Sequence, residues 1–230
     1  MDVSAIKQPE VEWLGIRIQE PVTCITDVLI GLVCFYAWYR LRKANRKQAK
    51  FKLLEYYFIS MGVATMAGGL IGHGFLYLFN DYWKLLGWYT SMLSVGLIER
   101  SSIKHAIHLI KPKTGKFFLI LNWIELAAMM ALTAYTLHFK FVEFHSLYGF
   151  LVVVFGFHFY VWRKTGDRGS KMILWSIAVL AGAVYIFNAP VILHEFFNHR
   201  DFAHILMAIG SYMILLAALR MEDNPQPKED

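Results

Sequence analysis

Imidazole and carboxylate groups are what this chain has for chemistry, and their spacing is the first guide to it. Asp201 and His204 stand three residues apart, which puts two side chains on one face of a helix. Glu20, Thr23 and Asp27 fall at i, i+3 and i+7 and share a face in the same way. His73 stands in a glycine-rich apolar run, Gly68-Gly69-Leu70-Ile71-Gly72-His73-Gly74. His199 precedes His204 by five residues, about 140° around a helix, so the two converge only if the helix begins after His199. A nitrogen and oxygen set of this kind suits a zinc-type ion, which in catalytic sites keeps three protein ligands and a water. That water reaches a pKa near about 7 and can attack an ester or amide. The candidate ligands are His73, His199, Asp201 and His204, with Glu20 and Asp27 orienting them or holding a second cation. A separate polar pair, Glu125 and His158, differs in depth by about 6 Å counted from the span ends. It reads either as a proton relay or as a hydrogen-bonded clamp between helices.

What must position these groups is a set of apolar helices. A helix crosses the hydrocarbon core with about 20 mostly apolar residues. Runs of that order lie at 22–39, 53–79, 85–103, 117–138, 144–162, 172–193 and 202–219. They predict an all-α, seven-transmembrane helix bundle over residues 20–220. An extracytoplasmic segment, 1–19, precedes it, and a polar, disordered cytoplasmic tail, 221–230, follows. Strands are not expected, because a membrane barrel alternates polar and apolar residues and these runs do not. Residues 1–19 carry Glu10, Glu12 and Arg17 and lack the apolar core of a signal peptide. Cys24 and Cys34 lie ten residues apart on one span, about 15 Å, too far for a disulfide. Pro190 is expected to kink or end the sixth span. Gly62, Gly68, Gly69, Gly72 and Gly74 along the second allow close helix packing or leave room beside His73.

The net charge of +6 is a topology signal and not a nucleic-acid footprint. Arg40, Arg42, Lys43, Arg46, Lys47, Lys50 and Lys52 cluster between the first two spans. Arg100, Lys104, Lys111, Lys113 and Lys116 follow the third, and Arg163, Lys164, Arg168 and Lys171 the fifth. The alternate loops carry only Lys84, Lys140 and Arg200. Basic residues near span ends stay cytoplasmic, so the N-terminus is placed outside and the C-terminus inside. Membrane lipids are the expected partners. This topology brings Glu20, Asp27, His73, His194, His199, Asp201 and His204 to the outer leaflet. His138, His145 and His194 read as interfacial, His105 and His108 as surface residues, and Glu55 and Glu99 as ion pairs at the inner boundary.

Three short stretches carry a resemblance. Gln19-Glu20-Pro21-Val22-Thr23-Cys24-Ile25-Thr26-Asp27 is similar to the Glu-Pro-x-Asn-x-x-Ser-Asn opening of prokaryotic alkaline ceramidase-like proteins. His199-Arg200-Asp201-Phe202-Ala203-His204-Ile205-Leu206-Met207 resembles the His-rich start of their last span, and Gly72-His73-Gly74-Phe75 looks like their second-span histidine. Those proteins group with the progestin and adipoQ receptors as seven-span, metal-dependent hydrolases. The resemblance implies one zinc held by His73, His204 and a third histidine, for which His199 is the candidate, acting on lipid amides. The chain departs from that pattern at Gly69, where the family has a serine. It departs again at Arg200, where a histidine is expected four residues before His204, and at Tyr77, where an aspartate is expected four residues after His73. Asn198-His199-Arg200-Asp201-Phe202-Ala203-His204 resembles more closely the Asn-His-x-Asp-x-x-His of an uncharacterised branch of bacterial seven-span proteins, which implies a bacterial cytoplasmic membrane. The expectation is therefore a multi-pass membrane protein with an outer-leaflet zinc site, hydrolysing a lipid-like amide or ester. The alternative is a non-enzymatic sensor, transport component or scaffold with structural histidines. A haem protein is disfavoured, since no two histidines show a facing-span repeat.

Overall fold

The structure, a computed structural model, describes residues 8–189 and 192–228. Proline and left-handed residues set its helix ends. α1, Pro21–Ala44, opens with Pro21 in the first turn and closes on Asn45 at φ 53°, the two positions that such residues favour. α2, Ala49–Ala67, continues as a π-helix through Gly68–Gly74. α3 spans Lys84–Ala106, and α4, Pro112–Thr136, again opens with proline. α5, Lys140–Tyr148, a π-helical stretch Gly149–Val154 and α6, Phe155–Thr165, form one unbroken column. Gly166 at φ 81° ends α6. Asp167 then caps α7, Arg168–Phe187, by accepting the Ser170 N–H. α8, His199–Arg220, starts in a capping box of Asn198 and Asp201.

α1 packs on α2 and α8, α2 on α3, α3 on α6, α6 on α7, and α7 on α8, so six columns close a ring. α4 lies outside it against α3 and α5. Ile30, Leu54, Phe58, Ile98, Ile177 and Leu215 fill the centre, while Leu32, Ile124, Val152, Trp175 and Ile209 face outward. Among the described residues, six helical columns are long and apolar enough to cross a membrane: Pro21–Ala44, Ala49–Gly74, Pro112–Thr136, Lys140–Thr165, Arg168–Phe187 and His199–Arg220. α3, expected as the remaining span, has the length but carries Ser94, Glu99, Ser101 and Ser102. Those four side chains are buried against other helices, so protein and not lipid surrounds them.

The apolar runs mark the helices and misplace their ends. The second column ends at Gly74 and not at Phe79, and α7 ends at Phe187, short of residue 193. Pro190, expected to end that span, lies outside the described residues. Strands occur after all, as two small antiparallel hairpins: β1, Val11–Trp13, with β2, Ile16–Ile18, and β3, Ile192–His194, with β4, Phe197–Asn198. Leu14 and Gly15 supply the positive φ values that a two-residue hairpin turn needs. Lysine and arginine stems extend the helices beyond the hydrocarbon-length runs, which is why hydropathy alone trims α2, α4 and α7 at that end.

Residues 222–228, expected as a disordered tail, lie along the other end of the bundle. Lys50 Nζ donates to the Glu222 and Asp223 carbonyls, each at 2.7 Å. Arg46 donates to the Met221 carbonyl at 2.7 Å and pairs with Asp223. His108 bonds the Pro225 carbonyl at 2.8 Å, and Lys228 N–H bonds the Lys164 carbonyl at 2.9 Å.

Candidate metal centre

Close backbone approach builds the end of the bundle that bears the hairpins. A Cβ on Gly69 would stand 2.8 Å from Asp27 Cβ and 2.9 Å from the Cys24 carbonyl, and one on Gly74 would meet Cys24 Sγ at 3.0 Å. The π-helical end of α2 therefore lies directly on the first turns of α1. The serine expected at position 69 has no room, because α1 fills that space with Asp27. Phe75 N–H reaches the Leu70 carbonyl at 2.8 Å, the i to i−5 bond of a π-turn, a feature common at functional sites. Tyr77, at the position expected to be an aspartate, donates its hydroxyl to the Arg17 carbonyl of β2 at 2.9 Å.

Four expected residues meet there. His73 Nδ1 is 2.6 Å from Glu20 Oε2, and Arg200 donates to Glu20 Oε1 at 2.7 Å. His204 Nδ1 is 3.0 Å from Thr26 Oγ1, whose own hydrogen goes to the Thr23 carbonyl at 3.0 Å. A hydroxyl has one hydrogen to give, so Thr26 must accept from His204, which places the His204 proton on Nδ1. Glu20 fixes His73 in the same tautomer. In the neutral form each ring presents an Nε2 lone pair, and both Nε2 atoms turn to Asp27: His73 Nε2 lies 3.8 Å from Oδ2, and His204 Nε2 3.6 Å from Oδ1. The ring centroids are 6.4 Å apart.

Asp201 and His199, expected as ligands, are placed otherwise. Asp201 Oδ2 accepts from Asn198 N–H and from Gln8 Nε2, both at 2.7 Å, and Oδ1 accepts from Thr23 at 2.8 Å. Its carboxylate is spent on the α8 cap and on tying α1 and the N-terminal segment to it. His199 is buried with its ring edge on Phe187 and its Nδ1 without a hydrogen-bond partner. His194 is exposed in the second hairpin.

The expected pairing of Glu125 with His158 is overturned. Glu125 receives His145, whose Nδ1 is 2.9 Å from both carboxylate oxygens. His158 instead bonds Ser170 on α7 at 3.0 Å and faces His105. Depth along an axis says nothing of direction around it, and the π-helical stretch between His145 and His158 shifts the phase of the column. His145 is thus buried rather than interfacial, and Glu99 is buried beside Asn122, 2.5 Å away, rather than paired at a boundary. Among the described residues, Glu99, Glu125 and His145 form the one group of three whose ligand atoms all lie within 4.8 Å of one another.

Residues 22–223 match a family described as a family of unknown function (DUF6962). The chain belongs to that family. No curated protein and no solved structure matches it. The DUF6962 match contains Asp27, His73, His204 and the Glu99 group, and leaves Glu20 just before its first residue. The likeness to ceramidase-type hydrolases rests on the short motifs alone.

The tail end of this DUF6962 chain holds a third polar network. His105, expected at the surface, is buried in α3 between Lys50 Nζ at 2.7 Å and Asp167 Oδ2 at 3.2 Å. Asp167, in the loop before α7, also accepts the Ser170 N–H at 2.6 Å and the Glu222 N–H at 3.0 Å. Burial works against its charge, but the bonds from His105, Ser170 and the two backbone N–H groups outweigh burial and hold the carboxyl well below the usual carboxylate range. The sequence carried a sign of the missed group: Asn122 with Glu125, and His145 with Gly149, sit one helical turn apart.

Proposed function

We propose that the chain is a seven-span integral membrane protein, N-terminus outside, that holds a zinc-class ion between His73, His204 and Asp27 at its outer end. One observation carries this reading: two imidazole lone pairs and a carboxylate face one another, which is unfavourable unless a positive charge lies among them. Two ligands of one tetrahedral zinc stand about 3.3 Å apart; His204 Nε2 and His73 Nε2 come to 3.6 and 3.8 Å of different Asp27 oxygens. The three residues do not offer one ligand atom each within 4.8 Å of one another, so binding would have to draw the two rings together. Glu20 and Thr26 hold the far nitrogens, the usual support for metal-bound histidine. This departs from the ligand set expected from sequence by putting Asp27 in place of Asp201 and His199.

A bound ion of this class polarises a carbonyl and supplies an acidified water. The chain's own part would be to hold that ion with His73, His204 and Asp27. Arg200 would offset the charge that Glu20 brings to His73. Placed at the outer end, such a site suits hydrolysis of a lipid amide or ester. A non-catalytic reading, as sensor, transport component or scaffold, is favoured by Gly69, which leaves no hydroxyl where the hydrolase-like proteins have one.

The test is elemental mass spectrometry of the detergent-purified protein beside its His73→Ala/His204→Ala variant. A loss of about one zinc per chain in the variant relative to the wild type is the expected result. Equal metal in both would sink the site, and metal without turnover of any lipid amide or ester would favour the non-catalytic reading.

A further inference from the structure

We propose that Glu99, Glu125 and His145 form a second cation site, enclosed between α3, α4 and α5, for a divalent transition ion of the manganese or zinc class. It is separate from the outer cluster and does not depend on it.

The argument begins with a tautomer. His145 Nε2 lies 3.0 Å from the Met92 carbonyl, which can only accept, so Nε2 carries the hydrogen. Neutral His145 then points the Nδ1 lone pair at both oxygens of Glu125, 2.9 Å away. A positive charge has to lie among these atoms. A proton on Nδ1 would balance Glu125 alone. Glu99 remains, with no exposed surface, a ligand atom within 4.8 Å of the other two, and its Oε1 without a hydrogen-bond partner. An uncompensated carboxylate inside a membrane bundle is costly. One divalent ion cancels both carboxylates, keeps the imidazole neutral and gives the orphaned oxygen a partner.

The surroundings are shaped for that carboxylate. A Cβ on Gly149 would press on Glu99 Oε1 and stand 2.5 Å from Val95 Cγ1, so glycine is what leaves the space. Gly149 opens the second π-helical stretch, one turn beyond His145. The first π-helical stretch contains His73, so each cluster adjoins one. Asn122 donates to Glu99 Oε2 at 2.5 Å and to the Gly96 carbonyl at 3.3 Å, which fixes the carboxylate as an outer-shell partner would. Two carboxylates and one imidazole make a hard-to-intermediate donor set, which suits manganese or zinc better than a soft thiophilic ion.

The test loads the detergent-purified full chain with Mn2+ or Zn2+, removes loose metal, and counts ions per chain. The wild type is compared with Glu99→Gln/Glu125→Gln and with His73→Ala/His204→Ala. Expected is loss of about one ion in the Glu variant, and retention of that ion in the His variant. If the Glu variant does not fold, Gly149→Ala keeps every charge but fills the space; it should lose the same ion, and with it the rise in thermal midpoint that added Mn2+ is expected to give the wild type. Metal counts unchanged by both Glu99→Gln/Glu125→Gln and Gly149→Ala overturn the proposal, leaving a protonated ion pair. An ion lost only in the Glu variant while the His variant matches wild type would sink the outer site and leave this one standing.

Discussion

At Gly69 one absent methyl group decides how closely α1 and α2 meet. The atoms a side chain would strike, Asp27 Cβ and the Cys24 carbonyl, belong to the start of α1 rather than to a flexible tip. Gly69→Ser, the residue expected from the ceramidase-like pattern, should therefore cost about 1–3 kcal/mol through overpacking. It should also push Asp27 away from His73 and weaken metal binding. The thermal midpoint and metal content of that variant check this; no change in either would mean the two helices do not touch there. His73, His204, Glu20 and Asp27 could all be picked out from sequence, because a polar group in an apolar run is conspicuous and costly. Asp201 and His199 drew the same reading for a weaker reason. Spacing of i, i+3 puts two groups on one face but does not tell a ligand from a cap. Asn198-x-x-Asp201 is itself capping-box spacing, and the structure uses it that way.

Helix existence was legible from hydropathy, and helix character was not. A π-turn changes the phase of everything beyond it, and neither π-helical stretch leaves a mark in apolar content. The Glu125–His158 pairing failed for that reason, and the Glu99 group went unseen with it. The loop between α6 and α7 carries a consequence that can be tested by pH. Asp167 has a folded-state pKa held below its unfolded value, so its contribution to stability is in full force above the ordinary carboxylate range, about 4. It is lost as pH falls from there through the depressed folded value. Asp167→Asn should lower stability near neutral pH by about 1–3 kcal/mol and flatten the acid side of a plot of thermal midpoint against pH. An acid limb equally steep in wild type and variant would remove Asp167 from the account.

For the molecule as a whole, the charge pattern and the ring of helices agree. The basic clusters fall at one end of the columns, and both hairpins and the His73 cluster at the other. The orientation that follows is open to direct labelling, with little background because Cys24 and Cys34 are buried. A membrane-impermeant maleimide should label Leu14→Cys in intact cells and Lys47→Cys only after lysis; the opposite order would invert the protein. That the chain is all-α with several helices of membrane-spanning length was readable at this scale, because hydrophobic length is a property of composition. The hairpins were not, since three-residue strands have too few residues to show a period.

Beyond α8 most of the hydrogen bonds that hold the chain are made by its main chain: the carbonyls of Met221, Glu222, Asp223 and Pro225 and the N–H groups of Glu222 and Lys228 take part. Side chains add the Asp223–Arg46 ion pair and the buried Met221. Every peptide unit offers the same carbonyl whatever side chain it bears. The strap is therefore keyed to residue count and nearly blind to residue type, so that inserting or removing a single residue would unthread what many substitutions would leave in place.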